Sequence, residues 1–346
     1  MPTTYAVPDG RVAMAATTYT GTGASLAVAN TVNGVNFQPD FVWVKGRSGA
    51  TDHALYDSVR GTTKDLVSNA TSAETTQATG LTAFGSTGFT VGALAKMNTS
   101  AATYVGWQWK AGGTAVSNTA GSITSSVSAN TTAGFSVVTY TGNATSGATV
   151  GHGLGVAPSM VIVKGRNGGT TNWPTYHISV GNTGTLFLNA TNAITTSSTQ
   201  WNNTSPTSSV FSIGNSGDTN ANTTAYVAYC FAPVAGYSAF GKYTGNGSAD
   251  GPFVYLGFKP RYVMVKRSDA AGYNWEVFDT TRSTYNVDVQ RIFPNDSSAE
   301  LTGEAFDMLS NGFKCRLAGN SDSNASGGTY IYYAVAENPF KYANAR

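Results

Sequence analysis

Three histidines, His53, His152 and His177, are the only side chains with ordinary titration near neutral pH in this chain of 346 residues. A nucleophilic triad or a zinc centre would draw on them. They occupy unrelated loop and strand contexts, and neither a Gly-x-Ser-x-Gly elbow nor a His-Glu-x-x-His motif accompanies them. Glycoside hydrolysis requires two carboxylates flanking one bond. The acids that recur along the chain, Asp57 and Asp279, are absent from the middle of it and travel with no second acid. Asn320-Ser321-Asp322-Ser323-Asn324 and Asp218-Thr219-Asn220 present hard oxygens. Calcium takes about six to eight of them, so one carboxylate per loop reads as an Asx-rich turn. Cys230 and Cys315 sit in apolar, strand-like surroundings and read as buried small hydrophobes, not as a disulfide or a metal site. The expectation is a non-enzymatic protein with no catalytic residue, metal or cofactor.

The elements that carry these residues are organised by a repeat. Pro39-Asp40-Phe41-Val42-Trp43-Val44-Lys45-Gly46-Arg47 returns as Pro158-Ser159-Met160-Val161-Ile162-Val163-Lys164-Gly165-Arg166, and again as Pro260-Arg261-Tyr262-Val263-Met264-Val265-Lys266-Arg267. A short, continuous β-branched and aromatic run predicts a strand buried on both faces, with proline tolerated where it begins. Each copy opens with Tyr-Thr-Gly (Tyr19, Tyr140, Tyr243) and continues through an aromatic strand, a short apolar strand ending in Asn69, Asn189 or Asn295, and a Ser/Thr-rich loop. Each closes on an aromatic alternation beginning at Tyr104, Tyr226 or Tyr330. Period-two strands with turns at about ten-residue spacing predict an all-β chain of three tandem β-sandwich modules, of jelly-roll or concanavalin-like character. The expected boundaries are an N-terminal arm at 1–16, module one at 17–113, a Ser/Thr/Gly-rich linker or edge strand at 114–134, module two at 135–235 and module three at 236–346.

Composition narrows the function classes. Net charge is +2 and charged residues make up 11% of the chain, against about a quarter in an average domain. That balance argues against a nucleic-acid partner, which needs a basic patch. No apolar run reaches the length of a membrane-crossing helix, so no membrane insertion is expected. The first residues, Met1-Pro2-Thr3-Thr4-Tyr5, lack a secretory pattern, which predicts synthesis in the cytosol. At 41% hydrophobic residues the chain is too apolar to be disordered, and its polarity belongs to turns and exposed strand faces.

Two sets of residues stand out as candidate sites. Lys45 with Asp57, and Lys266 with Asp279, are expected to form repeated structural ion pairs between neighbouring strands. Trp173, Trp201, Tyr273 and Trp275 lie in or beside loops and are candidates for surface recognition, since exposed rings stack on sugars. Between residues 114 and 235 the only charges are Lys164, Arg166 and Asp218, a poverty that suggests neighbouring subunits cover module two.

The repeat, the turn Thr244-Gly245-Asn246-Gly247-Ser248, the segment Gly251-Pro252-Phe253-Val254-Tyr255 and the ending Ala336-Glu337-Asn338-Pro339-Phe340 together resemble virion proteins of tailed bacteriophages. These are usually tail fibres or appendages with repeated concanavalin-A-like modules. The resemblance covers about residues 17–340. It implies a location in the virion and a structural role in assembly and host attachment. It also implies partners among other virion proteins, copies of itself in a homo-oligomer, and a host surface glycan or protein. A capsid decoration or head fibre is the nearest alternative, and a carbohydrate-binding module or glycan hydrolase a more remote one. The family supplies no catalytic residues. The third organising strand departs from the other two, because Lys266 and Arg267 have no glycine between them.

Overall fold

Each copy of the repeat builds the same pair of sheets. In module one the opening strand Met14–Thr20, the closing strand Thr103–Trp109, the organising strand Phe41–Gly46 and the aromatic strand Ala54–Asp57 lie side by side in that order, all antiparallel. Module three repeats this with Ser238–Thr244, Thr329–Asn338, Lys259–Arg267 and Trp275–Asp279. Module two repeats it with Phe135–Thr141, Ala225–Phe231, Met160–Gly165 and Pro174–His177, inside an eight-stranded sheet. The computed structural model describes residues 6–338. The first five residues of the expected arm, and Pro339 and Phe340 of the closing signature, lie outside the described residues.

A second sheet faces each of these. It is made of Leu26–Ala29, Gly88–Val91 and Leu81–Gly85 in module one, and of Ala148–Gly151 with Val210–Ile213 in module two. In module three it runs Phe253–Tyr255, Gly312–Cys315, Leu301–Leu309, Asp288–Arg291. One cross-strand pair fixes the equivalence: Val28 opposes Phe89, Val150 opposes Phe211 and Val254 opposes Phe313. The chain is therefore all-β, with two-sheet modules as its repeating unit.

One boundary shifts. Strand pairing begins at Met14, opposite Trp109, so the end of the expected arm is the start of module one. Of the two expectations for the Ser/Thr-rich stretch between modules one and two, the fold shows the edge strand: Val116–Asn118 and Ser125–Asn130 add to the side of module two's sheet.

The organising strands of modules one and two are buried along their whole length and that of module three at all but its end residues, Lys259 and Arg267, and strand periodicity divides their side chains between two cores. Val42 and Val44 face module one's own second sheet, and Val161 and Val163 do the same in module two. Phe41, Trp43, Met160 and Ile162 point the other way, into a core shared by all three modules. There Phe41 stacks on Tyr229 at 4.2 Å between ring centres, Trp109 meets Tyr262 at 5.5 Å and Phe231 meets Tyr333 at 5.1 Å. Each pair joins two different modules, so the three close on one another around a common aromatic centre. That centre encloses only about 10 Å³ of open space, room for roughly one water and no ligand.

Candidate functional site

The polar residues singled out by the sequence converge on the three junctions between modules. At each junction the start of one module's aromatic strand meets the Ser/Thr-rich loop of its neighbour. His53, Trp173 and Trp275 occupy the equivalent first position, each anchored by its backbone N–H on the carboxamide oxygen of Asn69, Asn189 or Asn295. Each ring then reaches the next module's short apolar segment. His53 Nε2 lies 2.9 Å from the carbonyl of Phe293, Trp173 Nε1 donates to Val67 O at 3.0 Å, and Trp275 Nε1 donates to Phe187 O at 2.9 Å. Module one thus reaches module three, two reaches one, and three reaches two. The directions run one way round, which closes the ring.

Backbone bonds follow the same cycle. Thr51 N–H donates to Ser297 O, Thr171 N–H to Thr71 O and Gly272 N–H to Thr191 O. In return Glu300, Glu74 and Ile194 donate their N–H groups to the carbonyls of Arg47, Arg166 and Ser268. This pairing explains the missing glycine of the third copy. Arg267, opposite Tyr330, occupies the place of Gly46 and Gly165, which oppose Tyr104 and Tyr226. A Cβ on Gly46 would fall 2.4 Å from Thr51 Oγ1, and one on Gly165 2.8 Å from Thr171 Oγ1. In module three the facing residue is Gly272, and the arginine side chain fits.

The expected ion pairs are corrected. Asp57 lies opposite Phe41 and Asp279 opposite Tyr262, while Lys45 and Lys266 stand four residues further along their strands. Four residues of strand rise separate the pairs by about 13 Å. Lys45 Nζ instead donates to the carbonyls of Ser298 at 2.8 Å and Ser297 at 3.2 Å across the junction, and Lys164 Nζ donates to Thr71 O at 3.0 Å. Lys266 Nζ donates to Arg267 O at 2.7 Å. Burial, with no acid in contact, lowers all three ammonium groups to about 8.

The aspartates pair with the arginines that follow them by three residues. Arg60 Nε sits 2.5 Å from Asp57 Oδ2, and Arg282 Nε 2.5 Å from Asp279 Oδ2, with all four side chains fully buried. Burial works against the charge on Arg60, but Asp57, Tyr229 and Glu74 together outweigh it and raise its pKa. Both arginines then share a glutamate with the neighbouring module. Glu74 bridges Arg60 and Arg166, and Glu300 bridges Arg282 and Arg47. Tyr229 O–H and Trp107 Nε1–H from adjacent modules complete the acceptors of Asp57 and Asp279 at 2.8 and 2.9 Å.

The third junction loses the whole network together. Module two carries His177 at the aspartate position, Val180 at the arginine position and Ile194 at the glutamate position. His177 Nε2 lies 3.1 Å from Tyr332 O, and its Nδ1 accepts from Ser179 N–H at 3.1 Å. A carbonyl only accepts, so Nε2 carries the proton. Protonating Nδ1 would set two donors against each other. Burial adds to this and lowers His177 to about 4. His53 is held the same way, with Nδ1 accepting from Trp43 Nε1–H at 2.8 Å, and burial with Lys45 nearby lowers it to about 3.

The aromatic recognition set is corrected as well. Trp173, Trp201 and Trp275 are 0%, 2% and 1% exposed. Trp173 and Trp275 lie at junctions because their indole N–H groups need a carbonyl when buried. Trp201 ends the short helix Ser198–Trp201 and packs on Tyr176 inside module two. Only Tyr273 is part-exposed, and the Arg267 guanidinium lies 4.4 Å from its ring centre. Arg267, one residue ahead of the place that Arg47 and Arg166 occupy in the other copies, pairs within its own module with Asp269 at 3.0 Å.

The hard-oxygen loops are turns. Asp218 Oδ1 accepts the Asn172 N–H at 2.7 Å, and Asp322 Oδ1 the Asn274 N–H at 2.5 Å. Among the described residues no cluster of three or more His, Cys, Asp or Glu is arranged to hold a metal, and both cysteines are free and buried. What the sequence reading missed is that Asn220 and Asn324, taken there as turn residues, form a buried set with Asn98. Asn98, Asn220 and Asn324 each accept an N–H from the loop after the Tyr-Thr-Gly turn, at Thr22, Asn143 and Asn246. Their repeat at one position of each copy was the signal available.

Among curated proteins, none matches this sequence. A family model described as a domain of unknown function, DUF7483, matches residues 12–339, a span that takes in all three modules and the junctions between them. The chain belongs to the DUF7483 family.

Proposed function

We propose that this chain is a non-enzymatic structural protein of a tailed-phage virion, a tail fibre or tail appendage that assembles with other virion proteins and attaches to the host surface. The observation that carries the reading is the use made of the polar residues. Lys45 and Lys164, the arginine–glutamate bridges, the indoles of Trp173 and Trp275, and two of the three histidines are spent on holding module to module. Groups buried and locked in this way give a body that resists deformation, which suits a component of a particle. The resemblance of the repeat signature to tail proteins points the same way. Module two's charged side chains, Lys164, Arg166 and Asp218, all bond within the chain. Its outer surface is therefore left to uncharged residues, Ser, Thr and Asn together with exposed Val156 and Ile178, as a face packed against neighbours in a homo-oligomer would be.

The covalent threefold repeat also favours a second reading, a capsid decoration or head fibre seated where the lattice has threefold symmetry. Imaging intact particles at near-atomic resolution separates the two. Density at the tail in a few cyclic copies supports the appendage, and density over the capsid in lattice-matched copies moves the chain to the head. A chain missing from purified particles would end both readings, and release of sugar from host glycans would replace them with a hydrolase.

A further inference from the structure

The second sheet of every module ends in one short strand, and the modules treat that edge differently. In module two the strand Ala148–Gly151 pairs with Val210–Ile213 on one side, and an inserted stretch crosses the other. Ile123 N–H donates to Thr149 O at 3.0 Å, and Ser122 and Thr149 exchange N–H to hydroxyl bonds at 2.8 and 2.9 Å. Ser125 O–H closes the row on Gly151 O at 2.8 Å. The added segment runs parallel to the strand, with Ile123 beside Val150 and only 7% exposed.

Module three has the same strand, and among the described residues nothing covers it. Phe253–Tyr255 is the last strand of its sheet. Val254 is buried like Val150, which puts Phe253 and Tyr255 at the positions of Thr149 and Gly151. Pro252 O accepts from Cys315 N–H, and Leu256 N–H donates to Asn311 O. By alternation the N–H and C=O groups of Phe253 and Tyr255 point away from that ladder. Among the described residues no hydrogen bond meets them. The two residues are 46% and 67% exposed, where module one has Ala27 and Ala29. Edge strands are normally blunted by charge, proline or a covering loop. This one carries two aromatics and no charge between Pro252 and Leu256.

We propose that the Phe253–Tyr255 edge receives an extended segment of a partner protein, added as a further parallel strand in the way residues 122–125 are added to module two. The seated segment is uncharged and rich in Ser and Thr, with one aliphatic side chain in the place of Ile123. Its main chain bonds to Phe253 and Tyr255, and their rings cover it. An uncharged segment fits because the strand offers no partner for a buried charge. The inference rests on the edge alone and stands whether or not the chain is a virion component.

The probe is a synthetic peptide with the sequence of residues 117–130, titrated into the full chain with amide exchange read residue by residue. The expected result is saturable binding that slows the Phe253 and Tyr255 amides by about tenfold or more and leaves Val254, already in the ladder, unchanged. Tyr255→Pro removes an outward N–H and should abolish binding with little change in melting temperature. Should that variant fail to fold, Tyr255→Lys, which alters only an exposed side chain, is expected to weaken binding at least about tenfold. Absence of saturable binding, or binding that leaves the two amides unchanged, overturns the proposal. So does protection of those amides in the free chain. At every dilution that would mean the chain covers its own edge, and only at high concentration that a second copy does.

Discussion

The histidine at the third junction makes the strongest quantitative claim. His177 is neutral in folded and unfolded chains above its ordinary pKa of 6.5, and burial lowers it to about 4 in the fold. As the pH drops below 6.5 the unfolded chain takes up a proton that the folded chain refuses, so stability falls, by about 1.4 kcal/mol per pH unit until the folded pKa is reached. Between pH 7 and about pH 4.5 the loss comes to roughly 2–3 kcal/mol, a sizeable part of the 5–15 kcal/mol that holds a typical domain together. Other groups titrate in this window. His53 acts with the same sign, and Glu276, raised to about 7 by its burial despite Arg291 beside it, acts with the opposite one. The comparison with His177→Gln cancels both, because the variant keeps them and can still offer an N–H to Tyr332 O. Urea unfolding followed by tryptophan fluorescence, at pH 7 and at about pH 4.5 at one ionic strength, measures the difference. The variant should be the less stable at pH 7, and the gap should close by about 2–3 kcal/mol at the lower pH. A gap that does not change with pH would refute the neutral, donor-locked histidine.

Asp57→Asn and Asp279→Asn each leave a buried guanidinium short of its carboxylate and should cost about 3–5 kcal/mol in chemical denaturation; a double-mutant cycle between Lys45 and Asp57 should show coupling below about 0.5 kcal/mol. Lys164 releases its proton at about 8 in the fold against 10.5 when unfolded, so stability should rise with pH once pH passes about 8, and Lys164→Met should lose that gain in thermal melts run from about pH 8 to pH 9.5. Phe41→Ala empties the aromatic centre and should cost about 3–5 kcal/mol. Because the three modules share that core, calorimetry should show a single transition in wild type and variant alike, and separate module transitions would contradict the shared core.

Much of the fold was legible because strand chemistry is local. Proline-led β-branched runs, aromatic alternation and Asn-bounded turns named the repeating strands, and the loss of the aspartate in the second copy was visible in advance. The burial of the organising strands on both faces was legible too. What covers their second face was not, since Phe41 meeting Tyr229, or Trp109 meeting Tyr262, is contact between residues far apart in the chain. The candidate sites failed for a related reason. Adjacent strands made Lys45 and Asp57 look like partners, but register sets them at opposite ends of the pairing. Trp173 and Trp275 sit beside loops in sequence, yet those loops are covered by a neighbouring module.

The sequence by itself determined that this chain is all-β and threefold repeated, because side-chain shape, period and turn chemistry act within a few residues. Only the tertiary structure decided that the modules close into one body, that Lys45 and Lys164 cap a neighbouring module's carbonyls, and that the described residues leave the aromatic edge of module three uncovered. Those outcomes depend on which surfaces meet, and buried N–H groups, ammonium ions and rings take their partners from whatever the closed ring brings within reach.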